Sequence, residues 1–105
     1  MLKLSNMKNI DFKDYKGIEV STVVRYNNDR GGEDTVEVIY SEEEESDIEE
    51  IHSEFIKFYS VYLIDAVGES TCVADTCYSE VALALTEALA DRYFKGKIMK
   101  KNPLF

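Results

Sequence analysis

One histidine and two cysteines are the residues of this chain best equipped for covalent or metal chemistry, and their spacing argues against both. A structural zinc site closes with four ligands, commonly as Cys-x2-Cys pairs. Cys72 and Cys77 stand five apart instead, and His52 has no histidine companion. Cys77 precedes a predicted helix, and a helix N-terminus lowers a thiol's pKa, yet nucleophilic catalysis also needs a paired base that the local sequence does not supply. Both cysteines are therefore expected to serve packing, buried or semi-buried, and His52 to sit on a helix surface. The acids do not form an EF-hand, because neither Asn27 to Glu33 nor Glu42 to Glu50 carries the alternating ligands, the central Gly and the closing Glu of that loop. No catalytic residue, metal ligand or cofactor is assigned.

What remains is charge. The chain of 105 residues has 21 acids against 12 bases, for a net charge of −9. Residues 1 to 32 carry six bases and four acids, and residues 55 to 105 carry six of each. The excess is concentrated in residues 33 to 54, with eleven acids and no Lys or Arg. Arg92, Lys95, Lys97, Lys100 and Lys101 form a small basic pole near the end of the sequence. A protein so charged is repelled by phosphate backbones, so direct nucleic-acid binding is excluded as its general activity. A partner for the acids must itself be basic. The candidate partner-binding residues are Glu42, Glu43, Glu44, Glu45, Asp47, Glu49, Glu50 and Glu54.

These acids are positioned by elements whose periodicity can be read. Ile18 to Tyr26 is rich in β-branched residues, Asn27 to Gly32 has the composition of a hairpin loop, and Thr35 to Tyr40 returns, which predicts an antiparallel pair from 18 to 40. Ser46 followed by Glu49 fits a capping box, and Ile48, Ile51 and Phe55 recur at helical spacing. A helix over 47–57 is expected, with those three apolar residues inward and Glu42 to Glu45 in a loop or first turn. Phe58 to Asp65 and Ser70 to Ala74 predict a second hairpin about Gly68-Glu69. The Ala-rich stretch from Cys77 to Phe94 predicts a helix with Val81, Leu85 and Leu89 facing the sheet, Asp75 or Thr76 as its cap and Gly96 at its end. Residues 1 to 16 suit either a short helix or a packed arm, and the tail from Lys97 is expected to be irregular.

The passage Val73-Ala74-Asp75-Thr76-Cys77-Tyr78-Ser79-Glu80-Val81-Ala82-Leu83-Ala84-Leu85-Thr86-Glu87-Ala88-Leu89, arriving after the strand Phe58 to Asp65, resembles the end of small phage-encoded ABA-sandwich proteins. These place an Ala-Asp-Thr turn before an Ala-rich helix and run helix, strand, strand, helix. The resemblance covers residues 47–94, implies a phage accessory protein, and carries over no functional residue. Val24-Arg25-Tyr26-Asn27-Asn28-Asp29, followed by a strand and Ser/Glu-rich acids, is similar to an acidic anti-CRISPR protein that fills the DNA-entry groove of its target nuclease. That likeness implies a DNA mimic.

Together these readings predict one α+β domain over 1–105, with a mainly antiparallel sheet of about four strands. A long C-terminal helix packs on it and a shorter acidic helix lies beside it. No uncharged apolar run reaches the length of a membrane span, and Met1 to Asn9 lacks the pattern of a signal peptide, so a cytoplasmic protein with no membrane partner is expected, in the host bacterium if phage-encoded. The expected function is binding and inhibition of a host defence or nucleic-acid-binding protein through an acidic, DNA-like surface. The alternative is a noninhibitory interaction or assembly module whose acids are merely solvated, with a homodimer through the sheet or the Tyr-bearing hairpin. An enzyme is not expected.

Overall fold

The computed structural model describes residues 3–4, 10–27, 34–52 and 54–102, which form an α+β fold on a mainly antiparallel sheet. Its organiser is β2 (Tyr15–Asn27), thirteen residues long. At about 3.3 Å per residue this strand runs roughly 40 Å, close to the longest dimension of the molecule, 42 Å. The β-branched run in it suits a pleated backbone paired on both edges. One edge pairs with β4 (Phe55–Asp65) along the whole strand, from Tyr15↔Asp65 to Tyr26↔Phe55, with a bulge at Lys16. β5 (Ser70–Thr76) lines the far side of β4, and β1 (Lys3–Leu4) lines β5.

The other edge of β2 is shared by two strands. β3 (Asp34–Val38) pairs antiparallel with residues 23–27, making the expected hairpin, although its loop beyond Asn27 lies outside the described residues. β6 (Lys100–Asn102) pairs parallel with residues 19–21. The expectation of an irregular tail is thus corrected over 100–102. β3 ends too early to satisfy the lower half of that edge, and buried backbone groups must be paired. The tail meets this need from Met99, whose N–H donates to the Ile18 carbonyl, while Ile39, just past β3, donates its N–H to the Thr22 carbonyl, both at 2.9 Å. Pro103 to Phe105 lie outside the described residues.

Both helices lie on one face of the sheet. On that face Ile18, Val20, Val61 and Leu63 are fully buried beneath α2 (Ser79–Tyr93). The helix buries Ala82, Thr86, Leu89 and Ala90, whereas Val81 and Leu85 are only half-buried on its flank. The contact stripe is therefore rotated from the expected Val81-Leu85-Leu89 line, because Ala82 and Ala90 let the helix backbone approach the sheet. Thr86 tolerates burial by donating its hydroxyl to the Ala82 carbonyl at 2.7 Å. Neither Asp75 nor Thr76 caps the helix, which corrects that expectation: the N-cap is Tyr78, without a side-chain cap hydrogen bond, and Thr76 Oγ1 accepts from Tyr78 N–H at 3.2 Å ahead of the first turn. Gly96 takes a φ of +77°, and its N–H shares the Ala90 carbonyl with Phe94.

Near the start of the chain, Ile10, Phe12 and Tyr15 pack against the same core, with one 3-10 turn at Phe12–Asp14. Phe12 stacks on Tyr93, ring centroids 3.8 Å apart. This is the packed arm of the two alternatives; residues 5 to 9 lie outside the described residues.

Candidate functional site

The acidic segment forms α1 (Glu42–Ile51), five residues earlier than the capping box at Ser46 suggested. Two Ser-x-x-Glu sequences compete, and the first wins. Ser41 Oγ accepts from Glu44 N–H at 3.2 Å, and Glu44 Oε2 accepts from Tyr40 N–H at 2.9 Å. Starting there places Glu42, Glu43, Glu44 and Glu45 in the first turn, against the positive end of the helix dipole. The helix stops at Ile51 because Phe55 is drawn into β4 opposite Tyr26. Phe55 is therefore a strand residue rather than the last apolar contact of a helix. Ile51 is 69% exposed, so of the three residues expected inward only Ile48 on α1 is partly covered.

Polar and aromatic contacts hold α1 where apolar burial does not. Strand alternation puts Lys57 and Tyr26 on the sheet face that also carries α2. Lys57 Nζ donates to Glu45 Oε1 at 2.9 Å, with the two side chains 34% and 20% exposed. That hydrogen bond holds the ammonium above the usual lysine range, against the opposing effect of burial. At the other end His52 stacks on Tyr26, centroids 4.1 Å apart. His52 is thus a half-buried anchor at the helix C-cap rather than a surface histidine. Burial and a hydrogen bond to Glu37 raise the Tyr26 hydroxyl above its ordinary pKa.

At 3.6 residues per turn, this docking sends Glu43, Asp47 and Glu50 away from the sheet, with Glu42 and Glu49 beside them. All five are exposed. Glu44 is engaged in the cap and Glu45 in the ion pair. Seven of the eight sequence-selected acids are therefore brought together on one helix, and Glu54 is not among them. It stands between α1 and β4, exposed, in an open groove with Arg25, Tyr26 and Asp34. Glu37 joins the acidic surface from β3, lining a groove with Glu44 and Asp47. The pairing of Lys57 escaped sequence reading because the expected helix included that residue. Its signal was its place as the first base after eleven acids.

The cysteines separate into two environments. Cys72 is half-buried on the opposite sheet face, where its thiol lies 3.3 Å from Asp75 Oδ1 and Ser60 donates to the same oxygen at 2.6 Å. Burial first, then the Asp75 carboxylate, push the Cys72 thiol up to about 11, so it is protonated at neutral pH and a poor nucleophile. Cys77 is exposed, which corrects the expectation that both cysteines are covered. It follows the last residue of β5 and precedes the first turn of α2, outside both packed elements.

Among the described residues no three His, Cys, Asp or Glu side chains converge on a metal-sized site, and no helix is long and apolar enough to cross a membrane. Comparison with family models, with curated proteins and with solved structures returned no match.

Proposed function

We propose that α1 is a binding surface for a basic, nucleic-acid-binding protein, and that the chain inhibits this partner by occupying its nucleic-acid site, as a small accessory protein of the phage type. The observation that carries the reading is linear charge density. Seven carboxylates lie on Glu42 to Glu50, an axial length of about 12 Å, or roughly one charge per 1.7 Å. Double-stranded DNA carries about one charge per 1.7 Å of its axis. Neutralisation of Glu45 by Lys57 leaves six, at roughly one per 2 Å.

Rigid presentation supports the same reading. A flexible acidic loop would screen and disperse its charge, whereas α1 is tied down by its cap, by Lys57 and by Tyr26. At physiological salt the Debye length is about 8 Å, so these acids reinforce one another across the helix and steer a basic groove toward it.

The test uses immobilised full-length chain to capture a partner from a bacterial lysate, beside a variant with Glu43→Lys, Asp47→Lys, Glu49→Lys and Glu50→Lys. These four side chains are exposed and outside the cap and the ion pair, so the variant should keep the wild-type circular dichroism spectrum. The wild type should capture a DNA- or RNA-binding protein that duplex DNA displaces, and the variant should not. Capture of the same protein by both chains would assign α1 to solubility alone.

A further inference from the structure

The basic tail and the acidic helix meet at one residue, Tyr40. Lys100 Nζ lies 5.4 Å from the centre of the Tyr40 ring, within reach of a cation–π contact. The backbone N–H of Tyr40 donates to Glu44 Oε2 at 2.9 Å, which is the returning half of the capping box that starts α1. One residue earlier, Ile39 N–H still donates to the Thr22 carbonyl on β2. Tyr40 is therefore the joint between the sheet edge and α1, held through its backbone on the helix side and through its ring on the tail side.

The tail reaches this joint by a fixed route. Ile98 packs against the core, the Met99 side chain occupies the place where a Cβ would stand on Gly17, and Met99 N–H donates to the Ile18 carbonyl at 2.9 Å. Lys100 to Asn102 then pair with residues 19–21 of β2. Lys100 is thus delivered to Tyr40 by a seated strand. Among the described residues the one ion pair is Lys57–Glu45, so the Lys100 ammonium meets the ring rather than a carboxylate.

We infer that β6 is a latch for α1: Lys100 on Tyr40 couples the pairing of the tail with the sheet edge to the capped first turn of the acidic helix. α1 buries no residue and therefore opens at low cost, which makes it sensitive to a contact at its start. α2, with four buried residues, is insulated. Loss of the ammonium's charge, or displacement of β6 from β2, loosens Tyr40 and frays the turn that holds Glu42 to Glu45. Because coupling free energies are reciprocal, a fault in the cap must also loosen β6. As control of partner binding, the latch rests on α1 being the binding surface; the coupling itself does not.

Hydrogen exchange on the full chain, with no partner present, reads the latch directly, so its failure is separate from a failure of lysate capture. Lys100→Met keeps the length of the side chain and removes its charge. The amides of residues 44–51 should then exchange about two- to five-fold faster, as for loss of an exposed cation–π contact, while those of α2 keep their wild-type rates. Tyr40→Leu should give the same increase and Tyr40→Phe none, and Lys100→Met added to Tyr40→Leu should change nothing further. Ser41→Ala should speed exchange over residues 99–102. Unchanged α1 exchange in Lys100→Met would overturn the inference, as would an increase that persists in full on the Tyr40→Leu background. So would equal acceleration in α2, which would make the loss one of global stability, or a β6 that Ser41→Ala leaves untouched.

Discussion

The two helices share a sheet face yet are held to it by different physics. α2 buries Ala82, Thr86, Leu89 and Ala90, whereas α1 buries no residue at all. α2 is a packing element whose sequence is constrained by the sheet beneath it. α1 is defined by its cap, one ion pair and one ring stack, which leaves most of its surface unconstrained by packing. A helix held in this way can carry a charge density that a core-packed helix could not, because its carboxylates remain in water. The cost is self-repulsion among neighbouring acids, which the first-turn dipole and Lys57 only partly offset.

Substitutions can break or sharpen this contrast. Leu89→Ala should cause the largest loss, about 2 to 4 kcal/mol by urea denaturation, because it opens a cavity between α2 and the sheet. Ile48→Ala on α1 should cost about 1 kcal/mol or less, since Ile48 is only partly covered. Equal losses would erase the distinction. Next, Ser41→Ala should cost about 1 kcal/mol. Hydrogen exchange should show that loss in α1 amides while α2 protection is unchanged. Lys57→Ala should cost no more than about 1 kcal/mol, because the pair is partly exposed, and its effect should shrink as salt is added.

The last expected effect lies on the opposite sheet face and is read only at alkaline pH. The Cys72 thiol is raised in the folded state from 9.0 to about 11. Above pH 9 the unfolded chain loses this proton first, so stability present at neutral pH declines as pH rises toward 11. Cys72→Ala should flatten that part of the stability curve. An unchanged slope would remove the thiol as its source.

Strands and the Ala-rich helix were legible because their signals are local. The β-branched run of β2, the turn at Gly68 and the alanines of α2 each point to one conformation. The boundaries of α1 were not legible, since Ser41 and Ser46 both begin capping boxes and Ile48, Ile51 and Phe55 imitate a helical stripe. Pairing of Phe55 with Tyr26 decided between them, and that contact spans twenty-nine residues of sequence. β6 was hidden for the same reason, because Lys100 to Asn102 has no strand pattern of its own and gains its conformation from the vacant edge of β2. The acidic surface itself could be read directly from composition. Which acids are outward could not, because the cap engages Glu44 and the ion pair engages Glu45.

The central claim is that α1 presents its charge as DNA does, and the salt dependence of binding tests it most directly. Once a partner is captured, its equilibrium affinity for the wild-type chain and for the four-reversal variant is measured between about 50 and 500 mM salt. Wild-type affinity should fall steeply and linearly on logarithmic axes, and duplex DNA should compete throughout, while the variant should bind too weakly to measure at low salt. A flat dependence shared by both chains, with no competition by DNA, would contradict the account.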